Sequence, residues 1–296
     1  MLSQVKKIFL TGGGGFIGKN ILEQLGGTYE FFAPTHEDLE LTDTDAVFSY
    51  LKVHPVDIVI HTAAIGVSRA ASGVGVAHTN LRVFFNLIRA KRFFGRMIML
   101  GSGAEYDKRR SLDRVPETAF GEAVPIDEYG LYKYICAQFA LQVDYITHLR
   151  LFGVCGHYED YTTRFISHVI CQALFDLPIH MMRHTQFDYL FVSDLVKIIE
   201  HCIQTPPQVT CLNVGSGVSF DLYTIAEKIL FALGKQLPIV VKEDQWGNAY
   251  VPSIDAFKAY WPEFVPTSID DTIQQMIVYY QNIFPSLQKE IFQVIP

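Results

Sequence analysis

Residues 9–20 read FLTGGGGFIGKN, four consecutive glycines between an apolar run and the first turn of a predicted helix. Glycine is the residue most costly to order, so four in a row imply a group that approaches the backbone too closely for side chains. The run KIFLT ahead of them reads as a strand, and strand, glycine loop and helix in succession open a βαβ crossover. In that setting Gly12, Gly15 and Gly18 have the spacing for a tight turn, a close approach to pyrophosphate and a close helix packing. Gly13, Gly15 and Gly18 also satisfy GxGxxG, so the register stays open between two readings. In either register the phosphates of a dinucleotide are the group expected here.

Outward from this loop the first half of the chain alternates. KKIFLT, TYEFFA, VDIVIHTAA, RMIMLGS and VDYITHLRLF predict strands, and GKNILEQLG, TDAVFSYLKV, HTNLRVFFNLIRAKRF and YGLYKYICAQFALQ predict the helices between them. Strand and helix in alternation imply right-handed parallel crossovers, hence an α/β fold with a doubly wound parallel sheet. Ligands of such sheets lie beyond the carboxyl ends of the strands. From about residue 157 the alternation loosens, with a helix at RFISHVICQALF, a strand at CLNVG and helices at LYTIAEKILFALG and IDDTIQQMIVYYQN. We therefore expect a dinucleotide-binding Rossmann domain over residues 1–156. Residues 157–296 should form a smaller mixed lobe that mainly binds substrate and returns some segments to the Rossmann sheet.

Composition narrows the function classes. With 49% apolar and 19% charged residues in 296, the chain can bury a large core and is not a disordered segment. Its apolar runs are too short and too interrupted for a bilayer span, and no signal peptide opens it, so a soluble cytoplasmic protein is expected. A formal net charge of −7, with basic residues scattered, argues against nucleic acid or an anionic membrane as partner. The five cysteines, Cys136, Cys155, Cys171, Cys202 and Cys211, show no metal-ligand spacing. They read as buried free thiols, and no metal is expected.

The stretch YGLYK carries the chemistry. Tyr129 and Lys133 are four apart in a predicted helix, so phenol and ammonium share one face. A phenol, with an ordinary pKa of about 10, transfers protons poorly at neutral pH unless a cation stabilises its anion. Lys133 supplies that cation. With 15 tyrosines in the chain such a spacing arises readily by chance, and position gives it weight. It follows the strand RMIMLGS, whose carboxyl end presents the hydroxyl of Ser102 where the sheet would meet its ligand.

Taken together, TGGGGFIG at 11–18, HTAA at 61–64, Ser102 in LGSGAEY and the 129–133 pair resemble the extended short-chain dehydrogenase/reductase family. The resemblance covers nearly the whole chain, since LRLFGVCG, FDYLFVSDL and CLNVGSG also match motifs of that family. It implies a nucleotide-diphosphate sugar as substrate and a homodimer. It further implies cofactor contacts from Gly12, Gly15, Phe16, Ile17, Gly18, Ala63, Ala64 and Lys133. Ser102, with Gly103 beside it, would hold the sugar oxygen, Tyr129 would transfer the proton, and Lys133 would tune Tyr129 and hold the nicotinamide ribose. Sugar 4,6-dehydratases of the family place an Asp-Glu pair directly after the hydroxyl residue; here those places hold Gly103 and Ala104, with Glu105 one position late. The pattern is nearer to the GDP-fucose synthases and related nucleotide-sugar 4-ketoreductases, which share HEDLELTDTDAV-like and SHVI-like stretches. His168 then matches their acid/base histidine, while Ala104 stands where they carry a cysteine. Phe187 stands where many relatives direct an arginine to the diphosphate, so either Arg183 or Arg164 takes that role or the donor sugar is held differently, and His157 is a further candidate to face the sugar.

Cofactor choice rests on the end of the second strand, EFFAPTHEDLEL. An acid there binds both ribose hydroxyls of NAD, whereas a 2′-phosphate prefers donors. The strand ends at Ala33, Pro34, Thr35 and His36 without that acid in the expected place, although Glu37 and Asp38 follow closely, which favours NADP with NAD as the alternative; Asp43 is assigned to the adenine side. The expected activity is reduction of a nucleotide-linked 4-keto-6-deoxy sugar in deoxysugar biosynthesis. The alternatives are a 4-epimerase with tightly held NAD and a catalytically retired dinucleotide sensor.

Overall fold

The computed structural model describes residues 5–65 and 75–292. Six parallel strands form the main sheet: β1 (Lys7–Thr11), β2 (Glu30–Phe32), β3 (Val56–His61), β4 (Phe94–Ser102), β6 (Ile146–Leu151) and β10 (Cys211–Val214), in the order β10-β6-β4-β3-β1-β2. This is the doubly wound sheet that the alternation predicts. The strands are buried on both faces, which is why they read as nearly continuous apolar runs. Ile8 and Leu10 point to one face and Phe9 to the other. On the first face α1 (Phe16–Leu25) and α6 (Val192–Gln204) pack through Ile21, Leu195, Ile199 and Cys202. On the second, α2 (Thr44–Val53), α3 (Val76–Arg89) and α4 (Glu128–Ala140) pack through Val47, Leu51, Phe84, Leu87 and Cys136.

A second core gathers α5 (Phe165–Leu174), α7 (Leu222–Ala232) and α9 (Ile269–Ile283) around Ile170, Ile229 and Met276. Beside it lies a mixed sheet of β5 (Leu112–Val115), β9 (Gln186–Phe191), β11 (Ser219–Asp221) and β13 (Tyr250–Pro252), with β7 (Gly153–Cys155) paired to β9. A two-stranded sheet joins β8 (Ile179–Met181) to β12 (Ile239–Val241), and α8 (Asp255–Tyr260) returns to the main core through Phe257. Chain order and sheet membership interleave. β5, early in the chain, joins the second sheet, while β10 and α6, late in the chain, complete the first layer. Asp188 ties the two sheets together: its buried carboxylate accepts from Ser216 N and Oγ (both 2.7 Å) and Gly217 N (2.8 Å), in the loop after β10. Among the described residues no helix is long and apolar enough to cross a membrane.

Another buried carboxyl, Glu159, accepts from Ser167 Oγ (2.6 Å) and Gly156 N (3.3 Å). Burial pushes its pKa up to about 7, against those hydrogen bonds and the charge of Arg164. A folded-state pKa above the ordinary 4.5 means that the native state holds this proton more tightly than the unfolded chain. Its contribution to stability is complete below that ordinary value and is lost as pH rises through about 7. Glu159→Gln keeps an oxygen for Ser167 and Gly156 without a charge. It should melt roughly 2 °C or more above wild type at pH 8, with the gap closing towards pH 5. An equal gap at both pH values, measured by thermal denaturation, would contradict this.

Candidate active site

β1 delivers the chain into Gly12, whose φ is +74°. A Cβ on Gly12 would lie 2.8 Å from the Ala63 backbone and from Thr62 Oγ1, and one on Gly18 only 2.1 Å from the Gly12 carbonyl oxygen. The loop therefore rests against the exit of β3, and α1 rests on the loop, at distances that only glycine allows. A Cβ on Gly13 would meet the Ala33 and Leu22 side chains at 3.2 and 3.3 Å, contacts that a small shift relieves. The geometry thus favours the register Gly12, Gly15, Gly18. No side chain caps the start of α1 at Gly15, and such a helix start offers its free N–H groups to an anion.

The loop forms one wall of a cleft of about 730 Å³. Gly12, Gly13, Gly14 and Gly15, His36 at the exit of β2, Ala63 and Ala64 after β3, and His78 and Arg82 of α3 all line it. Phe16 and Ile17 instead pack into the core, and Gly18 is buried behind the loop. Asp43 does not line the cleft. Its Oδ1 accepts from Asp45 N (2.9 Å) and Ala46 N (3.0 Å), capping α2, and Glu40, Leu41 and Thr42 form that wall instead. An Asp immediately ahead of a helix is a capping signal, its carboxylate taking the N–H groups two and three residues on, and this local use competes with any contact to the adenine. His36 is 83% exposed and pairs with Glu40 (3.2 Å). Asp38 is turned away, accepting from Thr35 Oγ1 (2.8 Å) and Thr35 N (3.0 Å), bonds that hold its carboxyl below the usual range. At the end of β3, His61 bonds Thr11 Oγ1 (2.8 Å); burial, aided by the charge of Lys133, holds the imidazole neutral, down to about 3.

Ser102 ends β4, with its Oγ accepting from Ala104 N (3.2 Å) and its N–H donating to Glu105 Oε1 (2.9 Å). Glu105 is not a displaced member of a catalytic pair. It is 0% exposed and bridges His148 Nε2 (3.1 Å) and Arg150 Nε (2.6 Å), both on β6. Burial opposes its ionisation, but the two cations prevail and hold its carboxyl well below the usual range; Glu105 in turn raises His148. Arg150 continues to the Tyr106 hydroxyl (2.6 Å) and Asn213 Oδ1 (3.2 Å), so the cluster spans β4, β6 and β10.

Tyr129 and Lys133 lie one turn apart on α4, as predicted, with the ammonium 6.0 Å from the Tyr129 ring centre. Lys133 donates to the Leu100 carbonyl (2.5 Å), which draws it to the same strand end as Ser102. Asp127 caps this helix through Gly130 N (2.8 Å), and Glu128 accepts from Ala77 N (2.9 Å) at the start of α3. A hydroxyl, a phenol and an ammonium so arranged can bind an oxygen and pass it a proton.

His168 and Arg183 share a separate pocket of about 180 Å³ between α5 and β8, lined also by Phe165, His180 and Met182. His168 Nδ1 donates to the Tyr161 carbonyl (3.1 Å), and Arg183 pairs with Glu243 (2.6 Å). Arg164 is exposed at the start of α5, and His157 stacks on Tyr279 at 4.5 Å between centroids. Phe187 stacks on Tyr189 (5.4 Å) and meets Tyr250 (5.2 Å). Gly103 is buried, and a Cβ there would lie 2.7 Å from the Tyr250 hydroxyl and 2.8 Å from Phe152. Tyr250 was not legible beforehand, because nothing in GNAYVPS marks a residue that folds back across 148 positions.

Residues 8–215 match the family model of the NAD dependent epimerase/dehydratase family. A GDP-L-colitose synthase of Yersinia pseudotuberculosis is 25% identical over 266 residues, 79% of this chain and 86% of that protein. Among solved structures, the Bordetella bronchiseptica enzyme WbmG in complex with NAD superposes with a TM-score of 0.81 at 18% identity, covering 95% of this chain and 96% of that one. A GDP-mannoheptose C4 reductase from Campylobacter jejuni with NADP bound gives 0.81 at 16%, covering 95% and 100%. The chain belongs to the NAD-dependent epimerase/dehydratase family of enzymes.

Proposed function

We propose that this protein is an NADP-dependent reductase of a nucleotide-diphosphate 4-keto-6-deoxy sugar. The observation that carries the reading is the convergence of Ser102 at the end of β4 with Lys133 of the Tyr129–Lys133 pair, which is bonded to Leu100 of the same strand end. The cofactor fits the glycine cleft: Gly12 admits no Cβ, nothing stands within 4 Å of the Gly14 position, and α1 starts without a side-chain cap. When bound, a reduced nicotinamide supplies a hydride. Ser102 holds the sugar oxygen, and Tyr129 gives that oxygen a proton as charge develops on it. Lys133 favours the tyrosinate left behind, and in the free protein its ammonium is kept in place by the Leu100 carbonyl. Dehydration is disfavoured because Glu105, the nearest carboxylate after Ser102, is consumed by Arg150 and His148.

The pocket of His168 and Arg183 suits the nucleotide diphosphate, with the Arg183 guanidinium for the phosphates beside Phe165 and Met182 for a base. The likeness to a GDP-L-colitose synthase supports a GDP-linked sugar. His36 and Arg82 at the cleft support NADP, and Asp38, the carboxylate two residues past His36, is turned to Thr35 rather than towards the ribose hydroxyls.

Tyr129→Phe keeps the ring and removes the proton. Turnover of a GDP-linked 4-keto-6-deoxy hexose with NADPH should fall by roughly 10²-fold to 10⁴-fold, with cofactor affinity retained. Unchanged turnover would remove Tyr129 from the chemistry. By calorimetry NADPH should bind more tightly than NADH, and His36→Asp should narrow or reverse the preference; NADH binding better by more than about tenfold, ~1.4 kcal/mol, would overturn the cofactor reading.

A further inference from the structure

We propose that Tyr250 is a second substrate-holding hydroxyl, which bonds the same sugar oxygen as Ser102 and brings the C-terminal sheet to the reacting carbon. The proposal rests on the reductase reading above. Tyr250 opens β13, which is paired with Phe187 of β9 on one side and Leu112 of β5 on the other. Its ring is wedged between Phe152 (4.8 Å) and Phe187 (5.2 Å), so the phenol has one direction to point. That direction is the site: the hydroxyl lies 3.5 Å from Ser102 Oγ and directly over Gly103.

The separation is informative. Strong O–H···O bonds are about 2.7–2.8 Å long, so the two hydroxyls bond each other poorly, while one oxygen at the apex of a triangle over them, off the line that joins them, can accept from both. Ser102 Oγ already accepts the Ala104 N–H (3.2 Å), which leaves its proton to be donated outward. Burial raises the Tyr250 phenol against the opposing Ser102 contact, so it stays a neutral donor. Tyr129 is different in that Lys133 stands over it. Tyr250 therefore holds and Tyr129 transfers.

Tyr250→Phe preserves the ring contacts and removes only the hydroxyl. With the full chain, NADPH and a GDP-linked 4-keto-6-deoxy hexose, kcat/KM should fall roughly 10²-fold to 10³-fold, the scale of one lost oxyanion donor, with NADPH affinity and melting temperature unchanged. Because both hydroxyls serve one oxygen, the cost of Ser102→Ala should differ between the Tyr250→Phe background and wild type, a coupling that independent sites would not show. Activity within about twofold of wild type, while Tyr129→Phe abolishes turnover, would overturn the Tyr250 assignment and leave the reductase reading intact. Full additivity of the two substitutions would also overturn it. Loss on Tyr250→Phe with none on Tyr129→Phe would keep Tyr250 and remove Tyr129.

Discussion

Glu105, a carboxylate with no access to water, joins three strands beneath the reacting edge of the sheet. It binds Arg150 and His148 of β6, takes the backbone N–H of Ser102 at the end of β4, and through Arg150 reaches Asn213 of β10. Asn213 in turn donates to Val115 O (2.9 Å) and accepts nothing from solvent, so the same cluster anchors β5 of the second sheet. Losing one member of a buried ion pair costs about 3–5 kcal/mol because its partners are left uncompensated. Those bonds fix the backbone N–H of Ser102 to a carboxylate that is itself held from β6. The room for the cluster comes from Gly101, where a Cβ would lie 1.9 Å from His148 Nε2.

This anchorage connects fold to chemistry. The glycine loop sets one boundary of the site, because α1 can approach β1 only over Gly12 and Gly18. The Glu105 cluster sets the second at Ser102, and α4, pinned through Glu128 to α3, brings Tyr129 and Lys133 as the third. The aromatic run Phe152, Tyr250, Phe187 and Tyr189 supplies the fourth, from strands of the other sheet. Reduction needs donors aimed at one oxygen before the reaction begins, and groups fixed on strands and helix ends serve that better than groups on loops.

What could be read from the residues alone follows the range of the interactions. Four of the five strands and the four helices read in the first half were legible as apolar or amphipathic runs, the three-residue β2 by its place in the alternation, and Tyr129 with Lys133 because helix periodicity is local. Strands of three residues, such as β7, β8 and β11, carry no period and exist only through partners far along the chain. Helix α6 was not read: its first four residues fell in the motif FDYLFVSDL and the rest of it was left unassigned. Glu105 was legible as a carboxylate but not as a buried counter-ion, since its cations lie more than 40 residues away. Asp43 carries a local use that the longer-range reading did not include: one oxygen of the carboxylate assigned to the cofactor caps the start of α2.

The central claim is that a hydride passes from the cofactor in the glycine cleft to a ketone held between Ser102 and Tyr129. NADPH carrying deuterium at the transferable position, incubated with a GDP-linked 4-keto-6-deoxy hexose, tests it directly by mass spectrometry of the product. The account predicts a single deuterium at C4 of the sugar, in proportion to cofactor oxidised. A sugar interconverted without deuterium from the added cofactor, and without its oxidation, would contradict it and establish an epimerase that returns the hydride to the carbon it left.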